Sequence, residues 1–258
     1  MKVLFLVSAV GILSTSPANA QSFELLSEIK HAEYTDGMGE RTEGNVIVSN
    51  DFGPATVVVE GKIGERKYAT DSFTGEAVSV DLYYDWSDLI STRTSVSFAS
   101  NDPVFTRHIL SQEIMVKPVD NLVLTGGFSD REYFGNVDAQ TYSGGPTFYF
   151  KGGFAKYTYT HYAIDDRANT HSHLATVRLK DGAGAGYTQA WVGTGTSVQE
   201  YEFVVPDTKG DVTGIALRRV QPLTDALNLT FGADYQWYDT PILDYQRWGL
   251  TLGIQVNL

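Results

Sequence analysis

Apolar and polar residues alternate along most of the chain, from about residue 23 to the C-terminus. The clearest run sets Leu227, Leu229, Phe231, Ala233, Tyr235 and Trp237 against Asn228, Thr230, Gly232, Asp234, Gln236 and Tyr238. A period of two indicates a β-strand with one apolar and one polar face. These runs reach about ten residues, the length of a tilted strand that crosses a membrane, whereas globular strands average about five or six.

The pattern predicts about fourteen strands, and an even number suits a single-chain bacterial barrel. They lie near residues 23–34, 42–50, 55–64, 75–86, 92–100, 108–117, 122–131, 140–150, 154–163, 171–180, 185–193, 209–219, 227–238 and 246–258. The segments near 185–193 and 209–219 alternate least clearly, so twelve strands is the alternative. The predicted fold class is all-β: a closed, antiparallel, up-and-down transmembrane β-barrel that occupies residues 21–258 as one domain.

Connections between the predicted strands alternate between short turns and longer polar loops. The short turns are Asp51 to Pro54, Ser87 to Ser91, Pro118 to Asn121, Lys151 to Gly153, Asp181 to Gly184 and Gln221 to Asp225. The longer loops are Glu65 to Thr74, Asn101 to Arg107, Glu132 to Ala139, Asp165 to Thr170 and Thr194 to Thr208. Outer-membrane barrels place short turns in the periplasm and longer loops outside the cell. Both ends of the chain are therefore expected in the periplasm.

Alternation alone does not say whether the apolar face meets lipid or the core of a secreted soluble β protein. Many polar-face positions are Gly, Ser, Thr or Gln, which suits a crowded wet lumen better than a soluble surface rich in Lys and Glu. Tryptophans near strand ends match the aromatic girdles of membrane barrels. We expect Trp86 near the inner interface and Trp191, Trp237 and Trp248 near the outer one. These features favour the membrane barrel.

The polar face then lines the lumen and carries charges of both signs. The predicted lumen charges are Glu60, Lys62, Asp81, Asp85, Arg93, Glu113, Lys117, Arg178, Lys180, Arg218, Asp234 and Arg247. Charges of both signs permit networks across the lumen. Such networks could narrow a pore or close it.

Residues 1–20 have the features of a secretory signal peptide. Lys2 provides a positive start, residues 3–13 are apolar, and Ala18-Asn19-Ala20 is a small-residue cleavage pattern. The apolar stretch is shorter than the roughly 20 residues that a spanning helix needs. We therefore expect export, with the mature protein beginning near Gln21 and residing in the cell outer membrane.

Composition excludes several classes of partner and scaffold. The formal net charge is −12, and no basic run is present, so binding to nucleic acid is not expected. The chain has no cysteine, so disulfides cannot stabilise it. No cofactor is predicted.

The segment His171-Ser172-His173, after Asp165 and Asp166, is the one cluster that suggests chemistry. A rim-located hydrolase could use a histidine as base and a serine as nucleophile. The two imidazoles could also share a metal ion with Asp165 or Asp166. However, His171 and His173 share one strand face while Ser172 takes the other. A polar loop leading into a strand is the simpler interpretation, and an outer-membrane hydrolase or lipid-modifying enzyme is the alternative.

Several short motifs in the C-terminal half support a family resemblance. They are Tyr133-Phe134-Gly135-Asn136, Tyr142 through Phe150, Leu217-Arg218-Arg219, and the closing strand Arg247 through Gly253. From Phe128 to Leu258 the chain resembles the YaiO family of outer-membrane barrels. The resemblance implies a fold and a location more than an activity. Related barrels occur in polysaccharide export systems, which suggests passage of a polysaccharide or small solute.

The resemblance also implies a set of partners. Lipid and lipopolysaccharide of the outer membrane are expected around the barrel, and the barrel assembly machinery is expected to insert it. The chain departs from the usual pattern at its last residue, which is Leu258 where such barrels usually end in an aromatic residue.

Overall fold

Fourteen antiparallel strands form the protein in a computed structural model that describes residues 23–68, 70–100, 104–133, 137–164, 169–182, 186–198, 209–240 and 243–258. The strands are β1 (Phe23–Tyr34), β2 (Glu40–Phe52), β3 (Ala55–Lys67), β4 (Ser72–Ser87), β5 (Ile90–Ala99), β6 (His108–Val119), β7 (Leu122–Tyr133), β8 (Val137–Phe150), β9 (Gly153–Ile164), β10 (Thr170–Lys180), β11 (Tyr187–Val198), β12 (Lys209–Pro222), β13 (Leu227–Asp239) and β14 (Tyr245–Asn257). Within the described ranges, no helix has the length and apolar character needed to cross a membrane.

The sheet closes on itself. Each strand pairs with its neighbours in the chain, and β1 pairs with β14 from Glu24↔Asn257 to Tyr34↔Arg247. Beyond this ladder, the backbone N–H of Phe23 donates to the carbonyl of Leu258 at 3.2 Å, and Leu258 donates back at 2.8 Å. Closure removes the unpaired strand edges that hydrocarbon would not tolerate. The predicted fold class and the count of fourteen strands are confirmed.

Most strands are longer than the alternating segments that predicted them. Residues 65–74 were expected to form a loop, yet Glu65 pairs with Thr74 and Lys67 with Ser72. Residues 194–198 likewise belong to β11. Alternation reports which side chains face an apolar medium, whereas the backbone ladder continues into water wherever donors and acceptors remain aligned. The apolar pattern therefore underestimates the strand ends.

The two ends of the barrel differ in their connections. At one end, Gly53-Pro54, Asp88-Leu89, Asp120-Asn121 and Lys151-Gly152 join consecutive strands, and β10 and β12 also end there. Gly53 and Gly152 have φ values of 67° and 87°, a region that glycine enters without steric cost. We call this the short-turn end, and it also holds Phe23 and Leu258. The opposite end, where β1, β3 and β5 end, is the long-loop end.

The polarity of the barrel is inverted relative to a soluble protein. Outward-facing Ile29, Ile63 and Leu252 are exposed, while inward-facing Thr230 and Glu28 are 0% and 2% exposed. A soluble barrel would bury its apolar side chains and expose its polar ones. An apolar exterior on a closed sheet is instead suited to lipid. The secreted soluble β protein is therefore contradicted by the structure.

Substituting Gly253 tests how tightly side chains pack at the closing seam, which is the pairing of β1 with β14. A Cβ at this inward position of β14 would lie 2.5 Å from the carbonyl oxygen of Ser27 and 2.6 Å from Thr230 Oγ1. We expect Gly253→Val to destabilise the barrel by about 1–3 kcal/mol or to prevent closure, because the backbone of β1 cannot give way locally. The urea midpoint of unfolding in detergent micelles measures this effect.

Gly61→Val is the matched control for this prediction. Gly61 faces outward on β3, and an added Cβ there meets nothing within 4 Å. The control should unfold at the midpoint of the unaltered protein. Equal midpoints for the two variants would show that the seam is not tightly packed.

Candidate functional site: the polar lumen

Strand pairing determines which side chains face the lumen. The register places every predicted lumen charge on the inward face: Glu60, Lys62, Asp81, Asp85, Arg93, Glu113, Lys117, Arg178, Lys180, Arg218, Asp234 and Arg247. The same register adds charges that the sequence analysis missed, namely Glu24, Glu28, Lys30, Arg41, Glu43, Asp51, Arg66, Arg131 and Lys156. The lumen is thus more highly charged than predicted.

Two explanations account for part of the missed charges. Arg41 and Arg66 lie beyond the predicted limits of β2 and β3, in the parts of the strands that carry no apolar alternation. Glu28 and Lys30 lie in β1, where the adjacent apolar residues Leu25 and Leu26 obscure the phase of the pattern. Strand parity, extended to the true strand ends, would have found all of them.

An ion pair with an almost completely buried carboxylate bridges the closing seam. Arg218 Nη2 on β12 lies 2.6 Å from Glu28 Oε1 on β1. Thr230 on β13 donates a hydrogen bond from Oγ1 to the same carboxylate oxygen at 3.0 Å. Glu28 is almost completely buried, so its negative charge depends on these two partners. The contacts connect strands on both sides of the seam.

A second polar group continues this network along β2 and β3. Lys62 Nζ lies 2.8 Å from Glu60 Oε2, and Asn45 Nδ2 donates to Glu60 Oε1 at 3.0 Å. All three residues face inward and are at most partly exposed. They extend the packed part of the lumen from β1 onto the neighbouring wall.

A third group lies on β4, β5 and β6. The guanidinium of Arg93 lies 2.9 Å from Asp81 and 3.7 Å from Glu113, and its carbon is 5.5 Å from the centroid of the Tyr83 ring. One cation lies between two carboxylates, so this group carries one excess negative charge. Asp81 belongs to β4 and Glu113 to β6, and both strands pair with β5. The two carboxylates therefore hold the Arg93 side chain against the barrel wall.

The lumen has a crowded wall and an open wall. On β11 to β14, inward side chains such as Gln189, Trp191, Gln236 and Tyr238 are buried. On β4 to β6, which we call the open wall, most inward side chains are partly exposed, and several of them are small: Ala77, Ser79, Ser95, Ser97 and Ser111. Among the inward residues of these three strands, Gly75 alone is buried. The solvent-accessible part of the lumen therefore runs along the open wall.

Part of the loop between β5 and β6 folds into the lumen at the long-loop end. Val104 and Phe105 are buried, and Arg41 Nη2 donates to the carbonyl of Val104 at 2.6 Å. A Cβ at Gly64 on β3 would lie 2.9 Å from atoms of both side chains, so the absence of a side chain there makes room for them. This Val104–Phe105 segment narrows the lumen at that end. The sequence had predicted an ordinary loop.

Arg66 stabilises the same end of the barrel by a different set of contacts. Its guanidinium donates to the carbonyls of Glu40, Lys67 and Met38. Its carbon lies 4.1 Å and 4.2 Å from the ring centroids of Tyr34 and Tyr68. The stacked arginine holds the β1–β2 turn against β3.

Three of the four predicted interface tryptophans face outward. Trp86, Trp237 and Trp248 are exposed, with Trp86 at the short-turn end and the other two toward the long-loop end. Tyr84 contacts Trp86 and Tyr235 contacts Trp237, with ring centroids 4.7 Å and 4.6 Å apart. Such amphipathic rings suit the boundary between lipid and water.

Trp191 corrects the prediction, because it faces the lumen. It pairs with Thr176 and Ala216, on the same face as Arg178 and Arg218, and is only 7% exposed. In β11 the outward positions belong to Ala190 and Val192, so the indole takes the opposite phase. Here a large ring fills the crowded wall instead of marking the interface.

The histidine cluster forms no shared site with Ser172. His171 and His173 face outward beside Tyr157 and Tyr159, and Tyr157 Oη lies 2.6 Å from His173 Nδ1. Ser172 faces the lumen and is buried. Asp165 and Asp166 lie outside the described residues. Within the part of the chain that the structure describes, no group of three His, Cys, Asp or Glu side chains could hold a metal ion.

Comparison with known proteins identifies a family. A model described as the YaiO membrane beta barrel domain matches residues 23–202. The match begins at β1 and ends before β12, so it extends further toward the N-terminus than the resemblance noted from the sequence and does not include the Arg247-Trp248-Gly249 motif.

Solved barrels share the fold at low sequence identity. A bacterial polysaccharide outer membrane secretin has 9% identity and a TM-score of 0.55, with coverage of 94% of this chain and 100% of that chain. OccAB1 of Acinetobacter baumannii has 10% identity and a TM-score of 0.52, with coverage of 92% and 96%. An anion-selective porin from Comamonas acidovorans has 10% identity and a TM-score of 0.50, with coverage of 92% and 98%. These similarities concern the fold.

Removing the Glu28 carboxylate tests the ion pair across the seam. We expect Glu28→Ala to lower the free energy of unfolding by about 2–4 kcal/mol, because Arg218 would keep a largely buried charge without its partner. The double variant Glu28→Ala/Arg218→Ala should cost less than the sum of the single changes. Denaturant unfolding in micelles, followed by tryptophan fluorescence, gives the free energies.

Glu76→Ala is the control, since Glu76 is an exposed carboxylate on the outward face of β4. Its stability should match that of the unaltered protein within about 0.5 kcal/mol. Additive costs of the two single variants would contradict a direct interaction between Glu28 and Arg218.

Proposed function

The chain belongs to the YaiO membrane beta barrel family, and we propose that it acts as a narrow, water-filled pore in the outer membrane of a Gram-negative cell. One observation carries the proposal: inward hydroxyl-bearing side chains of the open wall are partly exposed along β4 to β6, whereas inward side chains such as Gln189 and Gln236 on the crowded wall are buried. A purely structural barrel would gain stability by burying these side chains as well. Partly exposed polar side chains inside a barrel provide the surface that a passing hydrated solute requires.

The proposed orientation follows from the two ends of the barrel. The short-turn end would face the periplasm, and the long-loop end would face the outside of the cell. Residues 1–20 would direct export, and the barrel assembly machinery would insert the chain. Outward Trp237 and Trp248 would then lie near the lipopolysaccharide leaflet, and Trp86 near the periplasmic leaflet.

Small hydrophilic solutes are the proposed cargo, with a saccharide chain as the second candidate. Serine hydroxyls on the open wall can donate and accept hydrogen bonds, which suits water and sugar hydroxyls equally. The similar barrels include an anion-selective porin and a polysaccharide outer membrane secretin, which supports both kinds of cargo. A hydrolase is not proposed, because Ser172 and the two histidines face opposite sides of β10.

Planar-bilayer recording tests the pore directly. Purified full-length protein should produce discrete, reproducible conductance steps in KCl. Detergent alone and heat-unfolded protein serve as controls and should produce none. Protein that is folded by its mobility in gels but silent over the whole voltage range would overturn the pore and leave a structural role.

Shortening the side chains of the Val104–Phe105 segment tests the narrowing at the long-loop end. Val104→Ala/Phe105→Ala should raise the single-channel conductance, because the two side chains occupy the lumen there. The matched control is Phe98→Ala, since Phe98 is a phenylalanine of the same hairpin that faces outward. Single-channel amplitudes in KCl measure both variants. Equal amplitudes for the lumen variant and the control would place the narrowest point elsewhere.

A further inference from the structure

The charges of this protein are separated between the two faces of its wall. The whole chain carries a formal charge of −12. On the inward face of the described strands, however, Lys and Arg side chains outnumber Asp and Glu side chains. Acidic side chains instead occupy outward positions of the strands, as at Glu33, Glu65, Glu76, Asp130, Glu132 and Asp138. The lumen is therefore positive inside an acidic protein.

Much of the positive charge in the lumen is neutralised locally. Arg218 pairs with Glu28, Lys62 with Glu60, and Arg93 with Asp81 and Glu113. Arg41 and Arg247 pair with Glu43 and Asp234. These pairs hold strands together and offer little net field to a passing ion. The cations that remain decide which ions the lumen favours.

Lys30, Arg131 and Lys156 are among the inward cations that have no carboxylate within ion-pair distance in the described part of the chain. Lys30 is near the middle of β1, Arg131 is near the long-loop end of β7, and Lys156 is near the short-turn end of β9. All three are partly exposed to the lumen. An ion that crosses the barrel therefore meets a cation without a direct ion-pair partner near each end and near the middle of its path.

The inward carboxylates Glu24, Asp51 and Asp85 do not cancel this field. Glu24 is the second residue of β1, Asp51 is the last but one of β2, and Asp85 lies two residues before the end of β4, so all three are at the short-turn mouth. A carboxylate next to bulk water is screened by salt within about 10 Å at 0.1 M ionic strength. Charges inside a narrow bore with low-dielectric walls are screened much less.

We infer that the lumen admits anions in preference to cations, and that Lys30, Arg131 and Lys156 produce this preference. The inference rests on the proposed pore and names the class of solute that it passes. Rings of Lys and Arg are the usual means by which pores select anions. Carboxylate and phosphate groups on small solutes share the required charge with chloride.

Reversal potentials test this inference in planar bilayers with full-length protein under a tenfold KCl gradient. The unaltered protein should show the sign expected for chloride permeation. The variant Lys30→Gln/Arg131→Gln/Lys156→Gln should lower the chloride-to-potassium permeability ratio by up to about tenfold, toward equal permeability for the two ions. The control Lys67→Gln/Arg107→Gln/Lys151→Gln removes three exposed basic charges outside the bore and should keep the original ratio.

The possible outcomes separate this inference from the pore itself. Conductance with potassium preference, or with none, would overturn the anion preference and leave the pore intact. An unchanged ratio in the lumen variant would overturn the role of the three residues. Folded protein without any conductance would overturn the pore and the preference together.

Discussion

The structure depends on one constraint, the pairing of every backbone donor and acceptor in a medium that offers no water. The ladder between β1 and β14 satisfies it by removing the last free edges of the sheet. Closure then determines the rest of the arrangement. A closed sheet has an outside and an inside, and strand alternation delivers apolar side chains to one and polar side chains to the other. The charged lumen is therefore a consequence of closing the backbone against lipid.

Inward side chains on the two sides of the lumen differ in size and in burial. Near the seam, large inward side chains fill the space, and the contacts of Glu28 with Arg218 and Thr230 connect β1 to β12 and β13. These residues are buried, so their polar groups must find partners within the protein. On the open wall, small serines leave room for water, which satisfies polar groups without a protein partner. Packing on one side thus provides rigidity while the other side stays accessible.

Most of the fold follows from the alternation, because lipid imposes its period directly on the outward positions of each strand. The strand number, the antiparallel order and the inward phase of residues such as Asp81 and Arg218 were predictable for this reason. The inward Val104–Phe105 segment was not, because it depends on the space above Gly64, which is a long-range fit. Trp191 was assigned to the interface because tryptophan is common there, yet residue type does not determine which face of a strand a side chain takes. Ala190 and Val192 occupy the outward face of β11, so Trp191 between them faces inward.

Charge separation across the wall follows from the same geometry. Inward arginines and lysines have long apolar stems that lie along the barrel wall while their charged groups reach the water of the lumen. Inward carboxylates are shorter, and those in the middle of the barrel, such as Glu28 and Glu60, are held by adjacent cations. An excess of inward cations over inward carboxylates leaves some of them without partners. Lys30 and Lys156 have no direct ion-pair partner among the described residues, so the excess charge inside the barrel is opposite in sign to the net charge of the chain.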